Sequence, residues 1–135
     1  MTENGPASPR YMPPSFVMRH VVNPRTAVLG GPTIVVRGRR SGRLIRTVVP
    51  PFINDGVRYL VAGGGETQWV RNLRAAGAGE LWRGRKHEAF HAVELQGDER
   101  ARVVAAYRRR LGRRTGPFFA AMPDASDHPV FRLDP

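Results

Sequence analysis

The chain contains no cysteine at all. Disulfides, thiolate nucleophiles and cysteine-ligated metals are therefore excluded, as suits a reducing compartment. Lysine is almost absent as well: Lys86 stands alone beside 21 arginines among the 22 basic residues. Acids number only 11, which leaves a formal charge of +11 on 135 residues. No apolar run approaches the ~18 residues of a membrane span, and no signal-peptide core opens the chain. These absences point to a cytoplasmic protein whose partner is an anion. Arginine in place of lysine favours planar, bidentate contacts to phosphate or carboxylate.

A single domain accounts for this length, with residues 1–14 as a flexible arm marked by Pro6, Pro9, Pro13 and Pro14, and residues 15–135 folded. Ser15 can cap a short helix that ends before Pro24. Short β-branched runs then predict strands at Thr33–Arg37, Thr47–Ile53 and Val57–Ala62, the last two joined by the hairpin signal Asn54-Asp55-Gly56. Trp69, Leu73 and Ala76 lie at helical spacing between Thr67, a cap, and Gly77, a stop. Strands Glu80–Arg83 and Glu88–Leu95 follow, then a helix capped by Asp98 that carries Val104, Tyr107 and Leu111 on one face and Arg108, Arg109 and Arg110 on the other. A last strand covers Val130–Leu133. About six antiparallel strands with two or three helices make a mainly β, α+β fold.

The string His87-Glu88-Ala89-Phe90-His91 matches a zinc-protease signature, which works only on a helix. Here it continues in strand alternation, and ~13 Å would separate the two imidazoles of an extended chain. No metal site is expected.

The densest chemical signal is Gly38-Arg39-Arg40-Ser41-Gly42-Arg43, a basic turn directly after a strand. Backbone N–H groups and guanidinium forks concentrated there suit a phosphate. Together with Arg46-Thr47, the hairpin at 54–56, the glycine turn Gly63-Gly64-Gly65 and Trp69-Val70-Arg71-Asn72-Leu73, it resembles the deazaflavin-dependent nitroreductase and quinone reductase family. The likeness covers residues 30–95 and reappears in His128-Pro129-Val130-Phe131-Arg132-Leu133. It implies a split β-barrel and a coenzyme F-420 site. Arg39, Arg40, Ser41, Gly42 and Arg46 would hold the cofactor phosphate. Gly63, Gly64 and Gly65 would lie along the ring, and Trp69 and Asn72 would line the groove.

Lysine is missing from the glycine turn, and the prolines after Arg46 stand late, at Pro50 and Pro51. Flavin mononucleotide, or a haem-type ligand, thus stays open as the alternative. The tyrosines that line the substrate pocket in some relatives are replaced by Phe118, Phe119 and Met122, which suggests an apolar pocket for an electron-poor quinone, nitroaromatic or activated alkene. Tyr59 and Tyr107 are the candidate proton donors. The other class of function is a basic module holding nucleic acid or anionic lipid. Sparse strand aromatics count against nucleic acid. The arginine cluster 108–110 with Arg113 and Arg114 reads as a solvated helix face able to touch the inner surface of a membrane or the cofactor's acidic tail. The oligomeric state, a dimer included, is left open.

Overall fold

The computed structural model describes residues 32–112 and 116–135. The expected N-terminal arm and the helix capped by Ser15 lie outside them, as do Arg113 and Arg114.

Seven strands form one curled antiparallel sheet: β1 Thr33–Arg37, β2 Leu44–Val48, β3 Phe52–Asn54, β4 Val57–Val61, β5 Ala78–Arg83, β6 Lys86–Glu94 and β7 Val130–Asp134. Their order is β2-β1-β5-β6-β7-β4-β3. Among the described residues three α-helices pack on it: α1 Gln68–Ala76, α2 Gly97–Leu111 and α3 Gly116–Ala121. The expected strand over residues 47–53 is in fact two. Pro50 and Pro51 lack the N–H groups a ladder needs, so the chain leaves β1 after Val48 and crosses to the far edge of the sheet.

Turn chemistry sets the register. Asp55 and Gly56 both take positive φ, 51° and 76°, the pair a two-residue type I′ hairpin requires. Residues on alternate sides of the sheet build two cores. On one face Ile34, Leu60, Leu81, Phe90 and Phe131 pack beneath Val70 and Leu73 of α1. On the other, Phe52, Val61, Leu95 and Val130 pack with Val103, Val104 and Tyr107 of α2 and Phe118 and Phe119 of α3. Trp69 is only half-buried and Ala76 is exposed, so the buried stripe of α1 runs instead through Val70 and Leu73. Gly77 ends α1 in the left-handed conformation, its N–H donating to Leu73 O at 2.7 Å.

Two caps differ from expectation. Thr67 holds the N-cap position of α1 without a side-chain cap bond, and the N-cap of α2 is Gln96, with Asp98 and Glu99 inside the first turn. There the two carboxylates still favour the positive end of the helix dipole. The zinc-like string sits on β6, as its alternation predicts. Among the described residues no helix is long and apolar enough to cross a membrane.

Candidate functional site

The turn after β1 closes on itself: Gly38 N–H donates to Arg43 O at 2.7 Å, and Gly42 N–H to Gly38 O at 3.0 Å. Gly42 supplies the bend with φ 74°, and Arg37 donates to its carbonyl. From this turn Arg39 reaches to α1. Its backbone N–H donates to Asn72 Oδ1 at 3.1 Å, its Nη1 to the same oxygen at 2.7 Å and its Nη2 to Gln68 Oε1 at 3.0 Å. Asn72, which is buried, thereby fixes both the turn and its guanidinium.

Both partners of this guanidinium are neutral amides, so its charge is held in place without being cancelled. Loss of solvation pulls the Arg39 pKa below the ordinary arginine value, and the nearby charges of Arg40 and Arg71 push in the same direction. Mutual repulsion of this kind is relieved by an anion. A cleft of about 260 Å³ opens here, lined by Arg39, Arg40, Ser41, Ile45, Thr47, Gln68, Trp69 and Asn72, with no carboxylate among the described residues of its wall.

Thr47 and Trp69 also line a second, narrower cleft of about 50 Å³, whose other walls are Val48, Val49, Pro50, Val61, Gly63, Gly64, Tyr107 and Phe118. The two spaces thus meet at a shared threonine and tryptophan. One end is basic; the other is apolar and floored by glycine backbone. The glycine turn is anchored from behind. Its N–H groups bond Val61 O and Ala62 O, and Gly65 takes φ 79°. His128, fully buried, has Nδ1 3.1 Å from Ala62 O and Nε2 2.6 Å from Met122 O, which ties the start of the glycine turn to the end of α3.

The structure therefore brings Arg39, Arg40, Ser41, Gly63, Gly64, Trp69, Asn72, Tyr107 and Phe118 to one composite cleft. Several expected residues stand elsewhere. Arg46 lies between Ile45 and Thr47 on β2, so strand alternation turns it to the opposite face, where its guanidinium rests 4.9 Å from the Trp82 ring centroid. Gly42 and Gly65 shape their turns without lining either cleft. Phe119 and Met122 are buried behind the wall, Phe119 against the His128 ring at 4.2 Å. Tyr59 packs on the α2 side of the sheet, away from the cleft. Arg108 and Arg110 are exposed, as expected of a solvated helix face, and their guanidiniums also cover the Phe119 and Phe52 rings at 4.5 Å and 5.6 Å.

Sequence reasoning missed Gln68 and Pro50. The i, i+4 spacing of Gln68 and Asn72 on one helix was the available signal for the first. For Pro50, nothing local indicates that the crossing segment passes over the glycine turn.

A family model described as F420H(2)-dependent quinone reductase matches residues 15–116. Among solved structures, the chain is similar to an F420-H2 dependent reductase, FDR-A, with a TM-score of 0.61 at 19% identity over 76% of this chain and 92% of that one. It is similar also to HutZ, the haem storage protein of Vibrio cholerae, with a TM-score of 0.58 at 15% identity over 77% and 80%. A third, described as a domain-swapped dimer, gives 0.56 at 20% identity over 76% and 78%. At these identities the likenesses speak for the fold. No curated protein matches the chain by sequence.

Proposed function

The chain belongs to the F420H(2)-dependent quinone reductase family, and from that premise we propose that it binds a reduced deazaflavin in the composite cleft and reduces an electron-poor, quinone-type substrate. The observation that carries this reading is the Arg39 guanidinium, latched to neutral Asn72 and Gln68 and repelled by Arg40 and Arg71, at the basic end of a space whose apolar end reaches the glycine turn.

The residues present fit such a group. Arg39 and Arg40 would hold the phosphate by charge-assisted hydrogen bonds, with Ser41 beside them. Two of the five N–H donors of Arg39 are committed to Gln68 and Asn72, and the others stay available. Trp69 and the Gly63-Gly64 backbone would flank the flat ring, since a ring approaches backbone closely where no Cβ intervenes. When bound, the reduced deazaflavin supplies a hydride. The chain's own contribution is orientation and exclusion of water by Val48, Val49, Pro50, Val61 and Phe118.

A haem-type ligand is less well served. His128 is sealed between two carbonyls, while His87 stacks on Trp82 at 3.9 Å, and none of the three described histidines lines the cleft.

The test is a fluorescence titration with deazaflavin, flavin mononucleotide and a labelled oligonucleotide. Arg39→Ala and Arg40→Ala should each weaken deazaflavin binding about tenfold or more, because a hydrogen bond to a charged group contributes about 1.5–3 kcal/mol. Arg46→Ala should leave it within about twofold. Equal affinity in all three variants would remove the phosphate assignment. A steeply salt-dependent oligonucleotide shift without deazaflavin binding would favour the polyanion module.

A further inference from the structure

Ile34 and Val36 pack beneath α1, so strand alternation turns Val35 and Arg37 to the opposite side of the sheet. A hollow of about 410 Å³ opens on that side, a size within the roughly 300–1,000 Å³ range of small-molecule sites. It shares no lining residue with either part of the composite cleft. The hollow lies where two strands part. Gly38 N–H bonds Arg43 O toward β2, and Ala92 N–H bonds Gly77 O toward β6, so alternation points the backbone groups of Arg37 and Ala78 toward each other. The ladder between β1 and β5 nevertheless ends at Val35–Glu80, before it reaches them. Both residues line the hollow, and their N–H groups and carbonyls open on it without a ladder bond. Charges of opposite sign flank this opening. Arg37 gives Nη1 to Gly42 O and keeps its other N–H donors, while Glu80 takes the Trp82 Nε1–H on Oε1 at 2.7 Å and keeps Oε2. Neither forms an ion pair with a described residue. Val35, Leu44 and Ala89 supply the apolar surface between them.

We propose that this hollow is a second binding site, for a free apolar α-amino acid. The carboxylate would take the Arg37 guanidinium and the unpaired N–H groups, the ammonium would reach Glu80, and the side chain would lie over Val35 and Ala89. A simple anion would meet the Glu80 carboxylate and a simple cation the Arg37 guanidinium, so a molecule carrying both charges is the one that satisfies both. Its main-chain groups also match the unpaired groups of two parted strands, as those of an added strand residue would. The site lies on the far side of the sheet from the proposed deazaflavin cleft and does not depend on the reductase reading.

The experiment titrates the 15N-labelled full chain with L-phenylalanine and follows its amide and indole resonances. Saturable shifts should centre on Ala78, Gly79 and Ala89 and on the Trp82 indole N–H, whose acceptor is Glu80, while Gly63 and Gly64 hold still. Three analogues dissect the contacts on the unaltered protein. Phenethylamine lacks the carboxylate, 3-phenylpropionate lacks the ammonium and N-acetylphenylalanine masks it, so each should bind at least about three- to tenfold more weakly, the size of one charged contact at a partly exposed site. Glu80→Gln keeps an acceptor for Trp82 and should erase the preference for L-phenylalanine over 3-phenylpropionate. Ala89→Leu fills the hollow from an exposed strand position and should abolish the shifts, with a melting curve to confirm that the chain is folded. Equal binding of all four compounds, shifts centred on Gly63 and Gly64, full binding by folded Ala89→Leu, or no saturable shift by about 10 mM would each overturn the assignment.

Discussion

Asn72 shows how one buried amide can decide a charge pattern. As asparagine it accepts two bonds from Arg39 and leaves the guanidinium's charge intact. Asn72→Asp would keep both acceptors and place a carboxylate against that charge. Binding of an anion should then fall about tenfold or more while thermal stability holds or rises, since an ion pair replaces a bond in which only the guanidinium is charged. Titration with deazaflavin beside a melting curve checks both halves, and unchanged affinity would mean that the Arg39 charge is not what the ligand sees. His128 acts on the other wall. Replacing it with Phe removes the imidazole from between the Ala62 and Met122 carbonyls while Ala62 O keeps its bond from Gly65 N–H, which should cost about 1–3 kcal/mol in denaturant unfolding. The basic turn, the glycine turn, Trp69 and Asn72 were legible because each lies in a short run whose composition and order are unusual, Gly38-Arg39-Arg40-Ser41-Gly42-Arg43, Gly63-Gly64-Gly65 and Trp69-Val70-Arg71-Asn72. Arg46 was not. Beginning the second strand at Thr47 instead of Leu44 left Arg46 in the turn, and only the true strand start reveals that it alternates away from Ile45 and Thr47.

Among the elements, the glycines separate two kinds of constraint. Gly77 needs its left-handed φ of 70° but has open space where a Cβ would stand, so Gly77→Ala should cost about 1 kcal/mol in conformational strain alone. Gly79 on β5 is opposite in kind. A Cβ there would lie 2.9 Å from the Val35 carbonyl oxygen and 3.2 Å from Phe90 Cζ, because the Phe90 ring lies across its paired glycine. Backbone cannot yield as a side-chain tip can, so Gly79→Ala should cost at least about 2 kcal/mol. A denaturant series on both variants tests the ordering, and equal losses would mean that the sheet gives way at β5. Strand positions and turns were read correctly where Asn54-Asp55-Gly56 spelled them out. The order β2-β1-β5-β6-β7-β4-β3 was not, since strand partners that come from opposite ends of the chain leave no local mark. Helix α3, six residues opening on Gly116-Pro117, was missed for a related reason: it is held by burial of Phe118 and Phe119 and lacks the length to show a period.

At the scale of the whole molecule, a formal +11 charge must be confined in a small fold, and this sets how stability responds to acid and to salt. Three carboxylates near the surface are held below their usual range: Glu88 chiefly by its hydrogen bond from Arg58, Asp134 by Arg132, and Asp124 by the Ser126 N–H and hydroxyl. A depressed folded value means that the unfolded chain takes up protons first as pH falls. Stability is therefore fully present above the unfolded carboxylate values, near 3.8–4.5, and is lost as pH drops through the lower folded ones. Each proton taken up also adds to the existing positive excess, which steepens the loss. Sodium chloride should accordingly raise the melting temperature at neutral pH by screening repulsion across the whole surface, whereas sulfate or pyrophosphate should raise it further by occupying the basic cleft. Arg39→Ala with Arg40→Ala should abolish that additional gain while leaving the sodium chloride response in place. If the double variant kept the full pyrophosphate effect, the positive field would be spread over the surface and not focused at the turn after β1.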